Sequence, residues 1–188
     1  MRDILIKSIK YTYTLVLRPI FFLFDSETIH TILVNFGEIL GKITPIRLIF
    51  EKLIRIVDPS LNQNIAGVTF DNPIGLAAGF DYEAKLTKVL PIIGFGFGTV
   101  GTITNQPYEG NPPPMLGRLI KSRSLLVNKG FKNSGIKKIV DQYKKSKFSI
   151  PIGISIGKTN SQEPMSQVEA INDVVNSFTE VEKNNLPF

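Results

Sequence analysis

From Ile74 onward short apolar runs alternate with longer stretches of helical periodicity. Ile74–Ala78, Gly96–Thr102 and Ile150–Ile156 predict strands, while about Glu83 to Leu90, about Asn133 to Lys145 and about Pro164 to Lys183 predict helices. Alternation of this kind builds a parallel sheet covered by helices, and the order of elements fits a barrel or a doubly wound open sheet equally well. Length narrows the choice. A complete α/β barrel typically needs about 250 residues, so a barrel made from this 188-residue chain has to be partial.

The first third has a different character. Residues 1–24 are apolar and basic, but Lys7, Lys10 and Arg18 interrupt them, leaving no run near the ~18–20 residues that a spanning helix needs. No small-residue cleavage site follows a clean apolar core, so the segment is read as retained. Asp25-Ser26-Glu27 supplies capping chemistry for a helix to about Leu40, closed by Gly41. Thr44-Pro45 opens another, whose apolar positions recur at helical spacing through Ile56 and Val57. Residues 1–57 therefore read as all-helical. Ala66–Phe70 comes next as a strand entering the turn Asp71-Asn72-Pro73.

Composition removes several chemistries. With no cysteine there is no disulfide, thiolate metal site, iron–sulfur cluster or cysteine nucleophile, and a single histidine, His30, argues against histidine-based metal sites and Ser-His-Asp triads. The net charge of +6 is uneven: Met115 to Lys147 carries ten Lys/Arg against Asp141 alone. A stretch like this suits an anionic small molecule, an acidic lipid surface or nucleic acid, or is simply a solvated helix face.

Three words carry candidate chemistry. Leu76-Ala77-Ala78-Gly79-Phe80-Asp81 ends the first strand of the repeating part with small residues, which serve either a tight turn or the close approach of a planar ring or phosphate. The glycines of Gly94–Thr102 run through a strand instead of opening a helix after one, which is the wrong place for a dinucleotide fingerprint. Val127–Asn133 sets amide and cationic donors around Gly130, suited to a carboxylate or polar heterocycle, or else marks the start of a helix with Asn133 as cap.

Taken in order, Asn72–Asp81, Gly94–Phe97 with Gly101–Thr104, Gly110-Asn111-Pro112 with Leu116–Leu119, Asn128 through Gly130-Phe131 to Asn133, and Gly153–Lys158 resemble the class 2, quinone-linked dihydroorotate dehydrogenases. The resemblance covers about residues 15–188, since Arg18-Pro19 to Asp25 and His30 also look like that family's short N-terminal helical domain. It implies an α/β fold in which a helical membrane-docking and quinone domain (1–57) precedes the first half of a TIM-type (α/β) barrel (65–188) that binds FMN at the C-terminal ends of its strands. It further implies oxidation of dihydroorotate to orotate in pyrimidine synthesis, electrons passing to a membrane quinone, a peripheral position on the cytoplasmic face of the membrane, and no nucleic-acid partner.

Position by position, the resemblance puts Ala78, Gly79, Thr102 and Ser155 against FMN and turns Asn128, Gly130, Phe131 and Asn133 toward the substrate. It assigns no metal and no catalytic base to these residues, because the family's base, a serine, belongs to a segment after the loop that Asn185–Phe188 begins. Three positions depart from the pattern. Ser155 and Val127 stand where asparagines are usual, and Tyr82 replaces a lysine expected near flavin and substrate, with Lys85 one helical turn on as a substitute. Two rival readings are a non-catalytic membrane-surface module and another FMN barrel oxidoreductase acting on a pyrimidine; the N-terminal helices speak against the second.

Overall fold

The computed structural model describes residues 2–55, 58–161 and 163–184; Ile56, Val57 and Asn185–Phe188, included in the expectations above, lie outside them. A nearly continuous N-terminal helix comprises α1 (Arg2–Thr12), a π-helical turn (Tyr13–Leu17) and α2 (Arg18–Phe21). Helix α3 (Ser26–Lys42) starts at Asp25, whose carboxylate accepts the Thr28 N–H at 3.0 Å. Pro45 lies in the first turn of α4 (Thr44–Ile54), where a missing N–H costs nothing. Ile4, Leu15, Leu23, Phe36 and Leu48 are all exposed, so these helices keep long apolar faces uncovered. Among the described residues no helix is long and apolar enough to cross a membrane.

Helix α3 is held tightly against residues 86–89. Gly37 and Gly41, one turn apart, admit that segment to the helix surface: a Cβ at Gly37 would come within 2.5 Å of Leu86 Cδ2, and one at Gly41 within 2.9 Å of Lys88 Cβ.

An antiparallel hairpin, β1 (Gln63–Ile65) and β2 (Val68–Phe70), comes after the helices. Ala66 (φ 52°) and Gly67 (φ 81°) form its two-residue turn, so the strand expected from Ala66 begins at Val68. The sheet that organises the rest is parallel, in the order β3 (Gly75–Leu76), β4 (Phe97–Ile103), β7 (Ile152–Ile156). Among the described residues β7 pairs on one side only. Behind it pack α5 (Ile136–Lys144) and α6 (Gln167–Lys183), burying Val100, Ile103, Ile139, Val140 and Tyr143 almost completely. Each fully buried side chain of this size contributes roughly 1.5–3 kcal/mol, and the Tyr143 hydroxyl donates to the Ile152 carbonyl. Ser166 and Glu169 close a reciprocal capping box at the start of α6.

Two expectations are corrected. Residues 83–90 form turns, with a 3-10 helix only at Leu90–Ile93. Ala84 has φ 58°, outside helical space, and Asp81 takes the Lys85 and Leu86 N–H groups at 2.9 and 2.7 Å, so the turn is held by a side chain in place of an i to i−4 ladder. The stretch read as loop up to Asn133 contains a second antiparallel hairpin, β5 (Leu116–Leu119) and β6 (Ser124–Val127).

Candidate functional site

The carboxyl ends of β3, β4 and β7 open toward one side, where parallel α/β sheets bind ligands. Hairpin β5–β6 delivers residues 127–132 over the same ends, and a cavity of about 360 Å³ lies between. Ala78, Gly79 and Gly101 line it with backbone and small side chains; Thr102 and Asn128 add polar groups; Tyr82, Phe131, Lys129, Lys132, Val127 and Gly130 complete the wall.

Gly79 shows why the turn after β3, which ends at Leu76, needs a glycine. Its φ of 102° suits a residue without Cβ, its N–H donates to the Gly101 carbonyl at 2.6 Å, and a Cβ built there meets nothing within 4 Å. The turn is anchored by Asp81, which is 1% exposed and whose carbonyl accepts the Gly101 N–H at 3.1 Å. Burial pushes the Asp81 carboxyl above the ordinary range although backbone N–H groups pull it down, so desolvation wins.

Of the eight residues expected at the site, six line this cavity: Ala78, Gly79, Thr102, Asn128, Gly130 and Phe131. Ser155 stands beside it on β7, its hydroxyl 3.0 Å from that of Thr102. Asn133 does not line it. Its Oδ1 accepts from Gly135 N at 2.7 Å and Thr104 N at 3.3 Å, and its Nδ2 donates to Thr104 Oγ1 and the Phe131 carbonyl, both at 2.7 Å. Asn133 thus spends its amide on bracing the loop. Val127 does line the cavity.

Tyr82 also faces the cavity, and burial, with the charges of Glu27, Glu83 and Asp81 behind it, raises its phenol to about 12. It therefore stays protonated at neutral pH. Lys85 does not stand in for the missing lysine: its ammonium turns to Asn35 (3.2 Å) and Glu83 (3.4 Å), away from the lining residues. Gly101, Lys129 and Lys132 carried no expected role, although the cationic donors around Gly130 were the signal for the two lysines. Among the described residues no Asp, Glu or His lines the cavity, so its fixed charge is positive and suits an anionic ligand. Nor do three potential ligating side chains cluster among them to hold a metal.

These features fit the ring end of a flavin such as FMN: a floor of backbone at Gly79 and Gly101 where a plane can lie, hydroxyl and amide groups at its edge, and aromatic walls.

A family model described as dihydroorotate dehydrogenase matches residues 60–186. Curated relatives named dihydroorotate dehydrogenase (quinone) include that of Corynebacterium diphtheriae, 37% identical over 161 residues, which are 86% of this chain and 43% of that protein. Another, from Sulfurovum sp., is 37% identical over 158 residues, 82% of this chain and 45% of that protein. Among solved structures, DHODH from Eimeria tenella in complex with ferulenol aligns with a TM-score of 0.58 at 32% identity, over 68% of this chain and 35% of that one. The chain spans less than half the length of these relatives.

Proposed function

The chain belongs to the dihydroorotate dehydrogenase family, and from that premise we propose that it is the front part of a quinone-linked enzyme oxidising dihydroorotate to orotate, with residues 65–188 as the first half of an FMN-binding barrel. The observation that carries this reading is the meeting of Ala78 and Gly79, in the turn after β3, and Thr102, near the end of β4, with loop residues Asn128, Gly130 and Phe131 around one cavity. Ala78, Gly79 and Thr102, with Ser155 beside them, would hold the flavin ring, and FMN when bound supplies the hydride-accepting chemistry. This chain's residues contribute orientation and charge. Asn128 presents an amide whose oxygen already accepts from Asn111 at 2.8 Å, leaving its NH2 for an acceptor on the substrate. Lys132 gives the wall a cation suited to the substrate's carboxylate. Phe131 and Tyr82 exclude water from the two sides.

Residues 1–57 would dock the protein peripherally on the cytoplasmic face of the membrane, where a quinone is met. What supports this is the row of uncovered apolar side chains on α1 to α4 beside Lys7, Lys10 and Arg18.

The proton taken from dihydroorotate needs a base within hydrogen-bond reach, and the hydroxyls and amides here are suited to binding. The test compares the chain alone with the chain co-expressed with the remaining part of a dihydroorotate dehydrogenase (quinone), measuring dihydroorotate-dependent reduction of a quinone-coupled dye with FMN present. Activity in the second arm only is expected. Turnover by the chain alone that vanishes in Ser155→Ala would overturn the absence of a base in this chain, and no dihydroorotate-dependent reduction in either arm would overturn the substrate.

A further inference from the structure

Lys129 lines the cavity but its ammonium points the other way, into α3. It lies 3.1 Å from Glu27 Oε2, donates to Glu27 Oε1 at 3.2 Å, sits 3.5 Å from His30 Nδ1 and stands 4.8 Å from the centre of the Tyr82 ring. Only 9% of the residue is exposed. Glu27 and His30 are three residues apart on α3 and so share a face. The His30 tautomer is set by its other contact: Nε2 is 2.9 Å from the Phe80 carbonyl, which only accepts, so Nε2 carries the proton and Nδ1 is free to accept from the ammonium. The ring is clamped by Tyr82, stacked at 5.9 Å, and by Phe80, edge-on at 5.0 Å.

The segment that Lys129 belongs to needs holding. Gly130 and Phe131, which come directly after it, both have positive φ, 66° and 61°. For phenylalanine that conformation persists only where the surroundings impose it. Its other tethers are neutral hydrogen bonds from Asn111, Asn160 and Asn133. The Glu27–Lys129 pair is the one salt bridge of the loop among the described residues, and it is largely buried, so removing one partner leaves a desolvated charge.

We infer that Lys129 is a positioning residue: seated on Glu27 and His30, it fixes the loop Asn128–Phe131, so that helix α3 sets the geometry of the cavity wall. The functional consequence rests on reading the cavity as the ligand site; the seat itself does not. It carries a built-in pH response. Accepting from Lys129 requires neutral imidazole, and burial together with the Lys129 charge holds His30 below its ordinary 6.5 against the pull of Glu27 and the Phe80 carbonyl. Asp81, Tyr82, Glu83 and Lys85 line the small pocket on the ring's other side. Protonation sets two cations beside Glu27, so the seat is intact above pH 6.5 and weakens as pH falls through the depressed His30 value.

The test is hydrogen–deuterium exchange of the full chain, with no ligand added, expressed as protection factors for residues 128–132 and for α5. Lys129→Met is expected to lower protection of the loop roughly tenfold or more and leave α5 unchanged, while Lys129→Arg retains most of it. Acidification below pH 6.5 is expected to lower loop protection in the wild type and not in His30→Gln. Unchanged loop protection in Lys129→Met, equal loss in α5, or a pH step that survives in His30→Gln would each overturn the proposal. Because FMN and dihydroorotate are absent, failure of the dye-reduction test leaves this outcome readable.

Discussion

At the scale of single residues, the fold accepts local costs to shape the strand ends. The buried Asp81 carboxylate is disfavoured by its surroundings, yet it holds the Lys85 and Leu86 N–H groups and, through its carbonyl, the Gly101 N–H. Asp81→Ala is expected to lower unfolding free energy by about 1–3 kcal/mol, because it strands the buried Leu86 N–H and the part-buried Lys85 N–H; urea denaturation measures this. Gly79→Val is expected to act differently. The positive φ costs about 1–2 kcal/mol for a residue with Cβ, but the side chain meets open cavity, so the fold persists while the co-expressed protein loses flavin. The flavin-to-protein ratio after gel filtration reads this out, and a wild-type ratio would make Gly79 a turn residue only.

At the scale of elements, legibility tracked burial. Strands β4 and β7 and helices α5 and α6 lie within a few residues of where apolar periodicity places them, because each has one face in the core. The β5–β6 hairpin was illegible for the opposite reason: β6 is exposed along its whole length, so no alternation marks it. Residues 83–90 carry helical spacing, but the Asp81 side chain diverts their N–H groups, a competition that periodicity cannot register. Of the residues expected at a site, Gly79, in a run of small residues, lines the cavity, whereas Asn133 spends its amide on the loop itself, a use of polarity that the sequence pattern does not distinguish from ligand contact. The contact of α3 with residues 86–89 makes a graded prediction. Gly41→Ala meets Lys88 Cβ and nearby backbone, whereas Gly37→Ala meets the movable end of Leu86. The first is therefore expected to lower the thermal midpoint more, within the roughly 1–3 kcal/mol of overpacking.

At the scale of the whole molecule, the exposed apolar side chains of the N-terminal helices predict binding to anionic liposomes that is lost when residues 1–24 are deleted, as measured by co-sedimentation. Equal binding by the shortened protein would show that those helices serve another purpose. Phe22 already has one: it lies between the guanidinium groups of Arg18 and Arg118, 5.4 and 4.7 Å from its ring centre, which joins the N-terminal helix to β5.

The sheet order β3-β4-β7 is also the order of synthesis. Each parallel strand docks on the one made before it, so as the chain emerges from the ribosome the sheet grows along the edge that the newest strand presents. With β7 in place that edge is the side of Ile152–Ile156 that no strand among the described residues pairs, and α6 nearby exposes Val168, Ile171, Val175 and Phe178. A further strand supplied within the same particle would meet this edge at an effective concentration in the millimolar range, far above that of a second molecule in dilute solution. Purified alone, the chain is therefore expected to associate as its concentration rises, while the co-expressed particle keeps a constant sedimentation coefficient across the same dilution series.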